Sequence, residues 1–177
     1  SVDRSHAIHE EMGFRLLLNE HEVLRRGGDE LVLLGVENWG VGFRQSGDLK
    51  RTMKGAGAEQ RPTILMSHDP THWEKQVMGG KAPIELTLSG HTHGMQMGIE
   101  IPWLGIKFSP SKLRYRRWGG IYQEGDQILH VNRGFGVLGF HGRVGMPPEI
   151  TLLELEPSDR TAALEPVGGH RNPAEVV

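Results

Sequence analysis

Two imidazoles stand two positions apart between glycines in Ser89-Gly90-His91-Thr92-His93-Gly94, and a third lies upstream in Ser67-His68-Asp69-Pro70. Neutral imidazole is the commonest protein ligand for zinc-like metals. Side chains at i and i+2 of an extended backbone share a face. Gly90 and Gly94 let the chain turn sharply, so that both rings can reach one centre. A catalytic metal takes about three protein ligands plus a water, and that water ionises near neutral pH to become a nucleophile. His68, His91 and His93 are therefore the candidate metal ligands.

Other candidates flank them. Glu37, Asn38 and Asp69 lie near predicted strand ends, where an oxygen can add to a site or serve a turn or cap. Arg133, in Val131-Asn132-Arg133-Gly134, either faces the site or forms a structural ion pair. The other histidines, His6, His9, His21, His72, His130, His141 and His170, read as ordinary surface or hydrogen-bonded core residues. No residue is assigned a proton-transfer role.

The positioning elements follow from apolar runs and turn residues. Strands are expected over 14–19, 31–36, 63–67, 84–88, 127–132 and 150–155, with 22–26 pairing or continuing the first. Helices are expected over 5–13, stopped by Gly13, and over 48–56 and 71–78, the last stopped by Gly79-Gly80. Arg26-Gly27-Gly28-Asp29 is a turn, and 94–120 reads as a long irregular stretch. This order predicts an α/β fold with mixed β-sheet layers and flanking helices. One domain covers 1–156, and the polar, Pro- and Gly-containing end over 157–177 is expected to be a disordered tail.

The 177 residues suffice for one domain with a core. A formal charge of −2 does not suggest a nucleic-acid partner. The chain has no cysteine, which rules out disulfides, thiolate metal sites and a cysteine nucleophile. No apolar run approaches the roughly 20 residues of a membrane helix, and the start reads as that of a fragment or processed chain. There is no Gly-x-Ser-x-Gly elbow, no phosphate-binding Gly-x-x-x-x-Gly-Lys loop and no complete dinucleotide fingerprint.

The pieces 16–20, 33–38, 64–70, 87–96, 131–136 and 148–155 resemble the calcineurin-like metallophosphoesterases in order and spacing. The resemblance spans about Met12 to Leu155. It implies two bridged divalent ions (manganese, iron or zinc) and a bridging hydroxide that attacks phosphorus in line. It also implies that His68 and His91 serve the second metal and His93 the first. The family's Asp-x-His, Gly-Asp and Gly-Asn-His segments are not found, so the chain is expected to be the C-terminal half of the family's αββα sandwich. Such a half exposes an apolar sheet face, which predicts a homo-oligomer or partnership with an N-terminal half. The resemblance is nearest to bacterial members, with a bacterial cytoplasmic or membrane-associated location expected.

Residues 99–120 interleave Trp103, Phe108, Tyr115 and Trp118 with Lys107, Lys112, Arg114, Arg116 and Arg117, with no acid from 101 to 123. Such a mixture suits an anionic surface: a lipid membrane, a phosphorylated substrate or a single strand of nucleic acid. An insertion loop with packed aromatics and solvated cations is the plainer expectation.

Three functions follow. The first is a metal-dependent phosphoesterase acting on phosphate-ester substrates. The second is a mononuclear metal hydrolase of carboxylic or related esters. The third is a non-catalytic fragment that needs its N-terminal half.

Overall fold

The computed structural model describes residues 2–40 and 45–156. Helix α1 (Val2–Glu11) leads to strands β1 (Glu20–Arg26) and β2 (Asp29–Gly35), then to helix α2 (Leu49–Met53) and strands β3 (Thr63–Met66) and β4 (Leu86–Ser89). A small ribbon follows, β5 (Ile99–Ile101) with β6 (Ile106–Phe108), and the chain closes the main sheet with β7 (Gly120–Glu124) and β8 (Gln127–Val131).

The main sheet has six strands in the order β1-β2-β3-β4-β8-β7. Its four central strands run parallel, and both outer strands are antiparallel to their neighbours. Parallel strands buried on their faces read as continuous apolar runs, which is why Leu31, Val32, Leu33 and Leu34 in β2 and Ile64 and Leu65 in β3 carry no polar alternation. The expected α/β class with a mixed sheet is present, as part of the layered fold that the resemblance implies.

The core lies on one face of this sheet. Leu34, Leu65, Thr87, Leu129 and Tyr122 fall in one cross-strand row. Trp73, Val77, Leu49 and Ala56 pack into the same buried cluster. Helix α2 starts at Asp48, whose carboxylate accepts from the Arg51 backbone N–H at 2.9 Å. The helical segment after β3 widens to a π turn over Trp73–Val77, and the Met78 N–H reaches the Trp73 carbonyl at 2.8 Å. Across the opposite face run Met66, Leu88, His130 and Ile121, of which Met66 and Ile121 are exposed.

Three sequence expectations fail. Residues 14–19 form no strand: Asn19 turns the chain at φ 59°, and Leu17 packs over Gly35, where any β-carbon would collide with it. Residues 150–155 pair with no strand, and Ile150 and Leu152 stay almost fully exposed. Residues 94–120 are not irregular, since they contain the β5–β6 ribbon and lead directly into β7. The 157–177 tail lies outside the described residues. Among the described residues no helix is long and apolar enough to cross a membrane.

Candidate metal centre

The parallel strands end along one edge of the sheet, and the candidate residues follow those ends. Asn38 comes after β2, His68 and Asp69 after β3, His91 and His93 after β4, and Arg133 after β8. The carboxyl edge of a parallel sheet is where α/β folds bind ligands.

His68 and His91 meet there. His68 Nε2 lies 3.1 Å from His91 Nδ1, and the rings stand edge to face with centroids 4.9 Å apart. Adjacent parallel strands β3 and β4 bring together two histidines that are 23 positions apart in sequence. The other nitrogen of His91, Nε2, lies 2.8 Å from the Tyr115 hydroxyl. His93 bonds to neither ring, and its buried Nδ1 has no hydrogen-bond partner.

The turn that carries His91 and His93 is held in an uncommon backbone state. His91, His93, Gly94, Met95 and Gln96 all have positive φ, between 46° and 68°. Such a run costs free energy and persists only when its surroundings over-determine it. The restraints are on all sides. Thr92 Oγ1 donates to the Trp118 carbonyl at 2.6 Å, and Ser109 Oγ donates to the Gly94 carbonyl at 2.6 Å. The buried Gln96 amide donates to the carbonyls of Phe140 and Gly142 at 2.6 and 2.7 Å and accepts from the Leu138 N–H. A β-carbon on Gly94 would sit 3.1 Å from the Met146 sulfur and 3.6 Å from Arg133 Cδ, so a side chain here requires Met146 to give way.

Burial and neighbouring charge favour the neutral form of His68 and His93. Burial lowers the His68 pKa below the usual imidazole value, and nearby His91 and His93 lower it further against the opposing charge of Asp69. Burial also lowers that of His93, aided by the Arg143 guanidinium and by His91. Neutral imidazoles present lone pairs, which a metal requires. Burial raises the Tyr115 phenol, so it stays protonated.

The supporting candidates are placed as follows. One oxygen of Asp69 accepts from the Thr71 N–H at 2.8 Å and from its hydroxyl at 2.7 Å, capping the next turn. Asn38 accepts from the Gly40 N–H at 3.2 Å and is exposed. Arg133 forms ion pairs with Glu100 and Glu149, each at 2.7 Å, while its stem lies under Gly94 and Gly119. Burial pushes the Glu149 carboxyl up, but His130 and Arg133 outweigh it and bring it down to about 2. Glu37 is bound to Asn19, a buried hub that also donates to the Ser46 carbonyl and accepts from the Asp48 N–H.

The donor chemistry fits an imidazole-bound divalent cation: two ring nitrogens converge, and the third histidine carries an orphaned buried nitrogen. Three imidazoles bring no negative charge, whereas two dications about 3.5–4 Å apart need carboxylates to offset their repulsion. Among the described residues, no group of three or more His, Asp or Glu side chains is gathered as a metal site. Sequence reading missed Tyr115, Gln96, Thr92 and Ser109. Only Tyr115 carried a signal, as an aromatic within a basic run.

Comparison with known proteins finds metallophosphoesterases among the chain's relatives. The chain is 30% identical over 157 residues to Phosphodiesterase YaeI of Escherichia coli K12, covering 87% of this chain and 53% of that protein. It is 35% identical over 94 residues to the uncharacterized metallophosphoesterase YkuE of Bacillus subtilis, over 53% of this chain and 31% of that protein. It is 30% identical over 153 residues to a zebrafish (Danio rerio) transmembrane protein with metallophosphoesterase domain, over 82% of this chain and 33% of that protein. The chain thus spans between about a third and about half of these relatives. No protein-family model and no solved structure matches it.

Proposed function

The chain belongs to the calcineurin-like metallophosphoesterase family, and we propose on that premise that it supplies the histidine side of a phosphoesterase site. The reaction is hydrolysis of a phosphomonoester or phosphodiester: a water oxygen bonds to phosphorus, the ester P–O bond breaks, and the leaving oxygen takes the proton. His68, His91 and His93 would hold divalent metal, one ion or two, whether manganese, iron or zinc. When bound, that metal supplies a hydroxide at neutral pH and offsets charge on the phosphoryl oxygens.

The chain's own residues orient and restrain. Tyr115 holds the His91 ring by its Nε2, which leaves Nδ1 directed at His68. Thr92, Ser109 and Gln96 clamp the turn so that His93 keeps its place relative to β4. Arg133 lies beneath that turn as a positioning residue, bound to two carboxylates. Asn38 and Asp69, at neighbouring strand ends, are proposed to support the site's edge.

The single observation that carries this reading is the 3.1 Å approach of His68 and His91 across the ends of adjacent parallel strands, within a matching Gly-His-x-His segment. The test supplies manganese, iron or zinc to the purified chain and compares turnover of a phosphodiester, a phosphomonoester and a carboxylic ester, with His91→Ala alongside. Metal-dependent phosphate-ester turnover that His91→Ala abolishes supports it. Carboxylic-ester turnover alone favours the mononuclear ester hydrolase. No turnover until an N-terminal half is added favours a fragment completed by a partner. A second copy or that half is proposed to cover the sheet face of Leu24, Met66 and Ile121, which light scattering on the chain alone and in the mixture would detect. Contact of 99–120 with a membrane surface is proposed separately from the hydrolysis, and two relatives carry "transmembrane" in their names.

A further inference from the structure

The β5–β6 ribbon has its polarity reversed. Ile99 pairs with Phe108, Glu100 with Lys107 and Ile101 with Ile106. Side chains alternate along a strand and cross-strand partners share a face. Ile99, Ile101, Ile106 and Phe108 therefore line one face, and Glu100 and Lys107 the other. The polar face is the one turned inward. Glu100 binds Arg133 at 2.7 Å, and Lys107 donates to the Gly119 carbonyl at 2.5 Å with its ammonium 5.1 Å from the Trp118 ring centre. The apolar face is left to solvent, and at the turn Trp103 is 83% exposed and Leu104 62%.

The surroundings extend this surface. Leu113 is 92% exposed. Gln96 ties on the 138–142 loop, and a bridge from Met97 to Val144 continues it, adding exposed Leu138, Phe140 and Val144. Lys112, Arg114 and Arg116 are exposed, and no ion pair joins them among the described residues. Between Glu100 and Glu124 the sequence has no acid, and of its five cations only Lys107 and Arg117 are turned inward. Tyr115, between Arg114 and Arg116, carries the surface to the histidines, touching His91 at 2.8 Å.

We propose that this outward apolar ribbon, with its flanking cations, docks on an anionic lipid bilayer, so that the site receives a phosphate ester carried by a membrane lipid. An exposed Trp-Leu tip ringed by Lys and Arg matches the bilayer interface, where aromatic rings settle at headgroup depth and cations meet anionic lipid. A second copy of the chain is the poorer occupant, because a two-fold contact places the same cations face to face. The substrate clause rests on the phosphoesterase reading; the docking clause does not.

The test is co-sedimentation of the whole chain with phosphatidylcholine vesicles, with and without phosphatidylglycerol, in low and high salt. Two variants accompany it: Trp103→Glu with Leu104→Glu, and Lys112→Glu with Arg116→Glu. All four positions are exposed, and thermal melts confirm folding. The expected result is binding only to phosphatidylglycerol vesicles, weakened by salt and reduced at least tenfold by either variant. Each cation near the surface contributes about fivefold. Turnover of a water-soluble phosphodiester stays unchanged in both. Absence of binding, or binding that ignores the Trp103–Leu104 variant, overturns the proposal. So does a variant that alters only the particle mass in solution, which would make this face a contact with another protein chain. Vesicle binding by a chain that hydrolyses no phosphate ester, or by His93→Ala, leaves docking intact and removes only the activity.

Discussion

The Tyr115 hydroxyl lies 2.8 Å from His91 Nε2, while the opposite nitrogen of the same ring lies 3.1 Å from His68. One side chain from the basic stretch thereby occupies Nε2 and leaves Nδ1 of His91 turned toward His68. A hydrogen bond at one imidazole nitrogen selects the tautomer that presents its lone pair at the other. Tyr115→Phe is expected to weaken metal binding about tenfold or more, read by metal titration followed by calorimetry. His68→Ala should lose more. Unchanged affinity in Tyr115→Phe would show that the phenol does not hold the ring.

Glu149 should set an acid limit to stability. Its carboxyl is held down to about 2, below its ordinary value near 4.5, because Arg133 and His130 outweigh its burial. A depressed carboxylate stabilises the fold fully above the unfolded value. That contribution falls as pH drops from about 4.5 toward 2, since the unfolded chain binds the proton first. Glu149→Gln should cost about 2 kcal/mol at neutral pH and flatten the melting-temperature profile between pH 5 and 3. A parent-like profile in the variant would refute the linkage.

Gly94 should resist any side chain. Its φ is 55°, and an added β-carbon would lie 3.1 Å from the Met146 sulfur. The flexible methionine can yield, but the left-handed backbone still costs about 1–2 kcal/mol for a non-glycine residue. Gly94→Ala should lower the melting temperature accordingly, and pairing it with Met146→Ala should recover only the steric part.

Gln96 joins the histidine turn to the 138–142 loop by three hydrogen bonds through one amide. Gln96→Ala removes three hydrogen bonds, leaving the Gly142 carbonyl and the Leu138 N–H without them while the Phe140 carbonyl keeps the Gly142 N–H, each net loss being worth about 0.5–1.5 kcal/mol. Faster hydrogen exchange at Leu138, with β3 and β4 protected as before, is the expected signature. Equal protection at Leu138 would mean that the loop is held elsewhere.

Much of the frame is legible in the residues. β2, β3 and β4 are compact apolar runs ended by small or polar residues, and buried parallel strands leave that pattern. The Gly27-Gly28 turn supplies the positive φ values its hairpin requires. β7 escapes notice because it is a short outer strand, Gly-Ile-Tyr-Gln-Glu, whose place depends on its partner β8. Residues 14–19 and 150–155 mislead for the opposite reason. Both look like strands locally, but a strand exists only where a neighbour offers its hydrogen bonds.

The sequence alone determined the α/β class, the strand ends and the positions on them of the three histidines proposed as metal ligands, because apolar runs, turn glycines and a Gly-His-x-His spacing are local properties. Tertiary structure alone decided that His68 faces His91 rather than His93, that Tyr115 crosses from a distant loop to hold the ring, that Arg133 serves two carboxylates, and that the β5–β6 ribbon turns its apolar side outward. Those outcomes depend on strand order and register, which arise from competition among distant segments for the same sheet edges and the same buried volume.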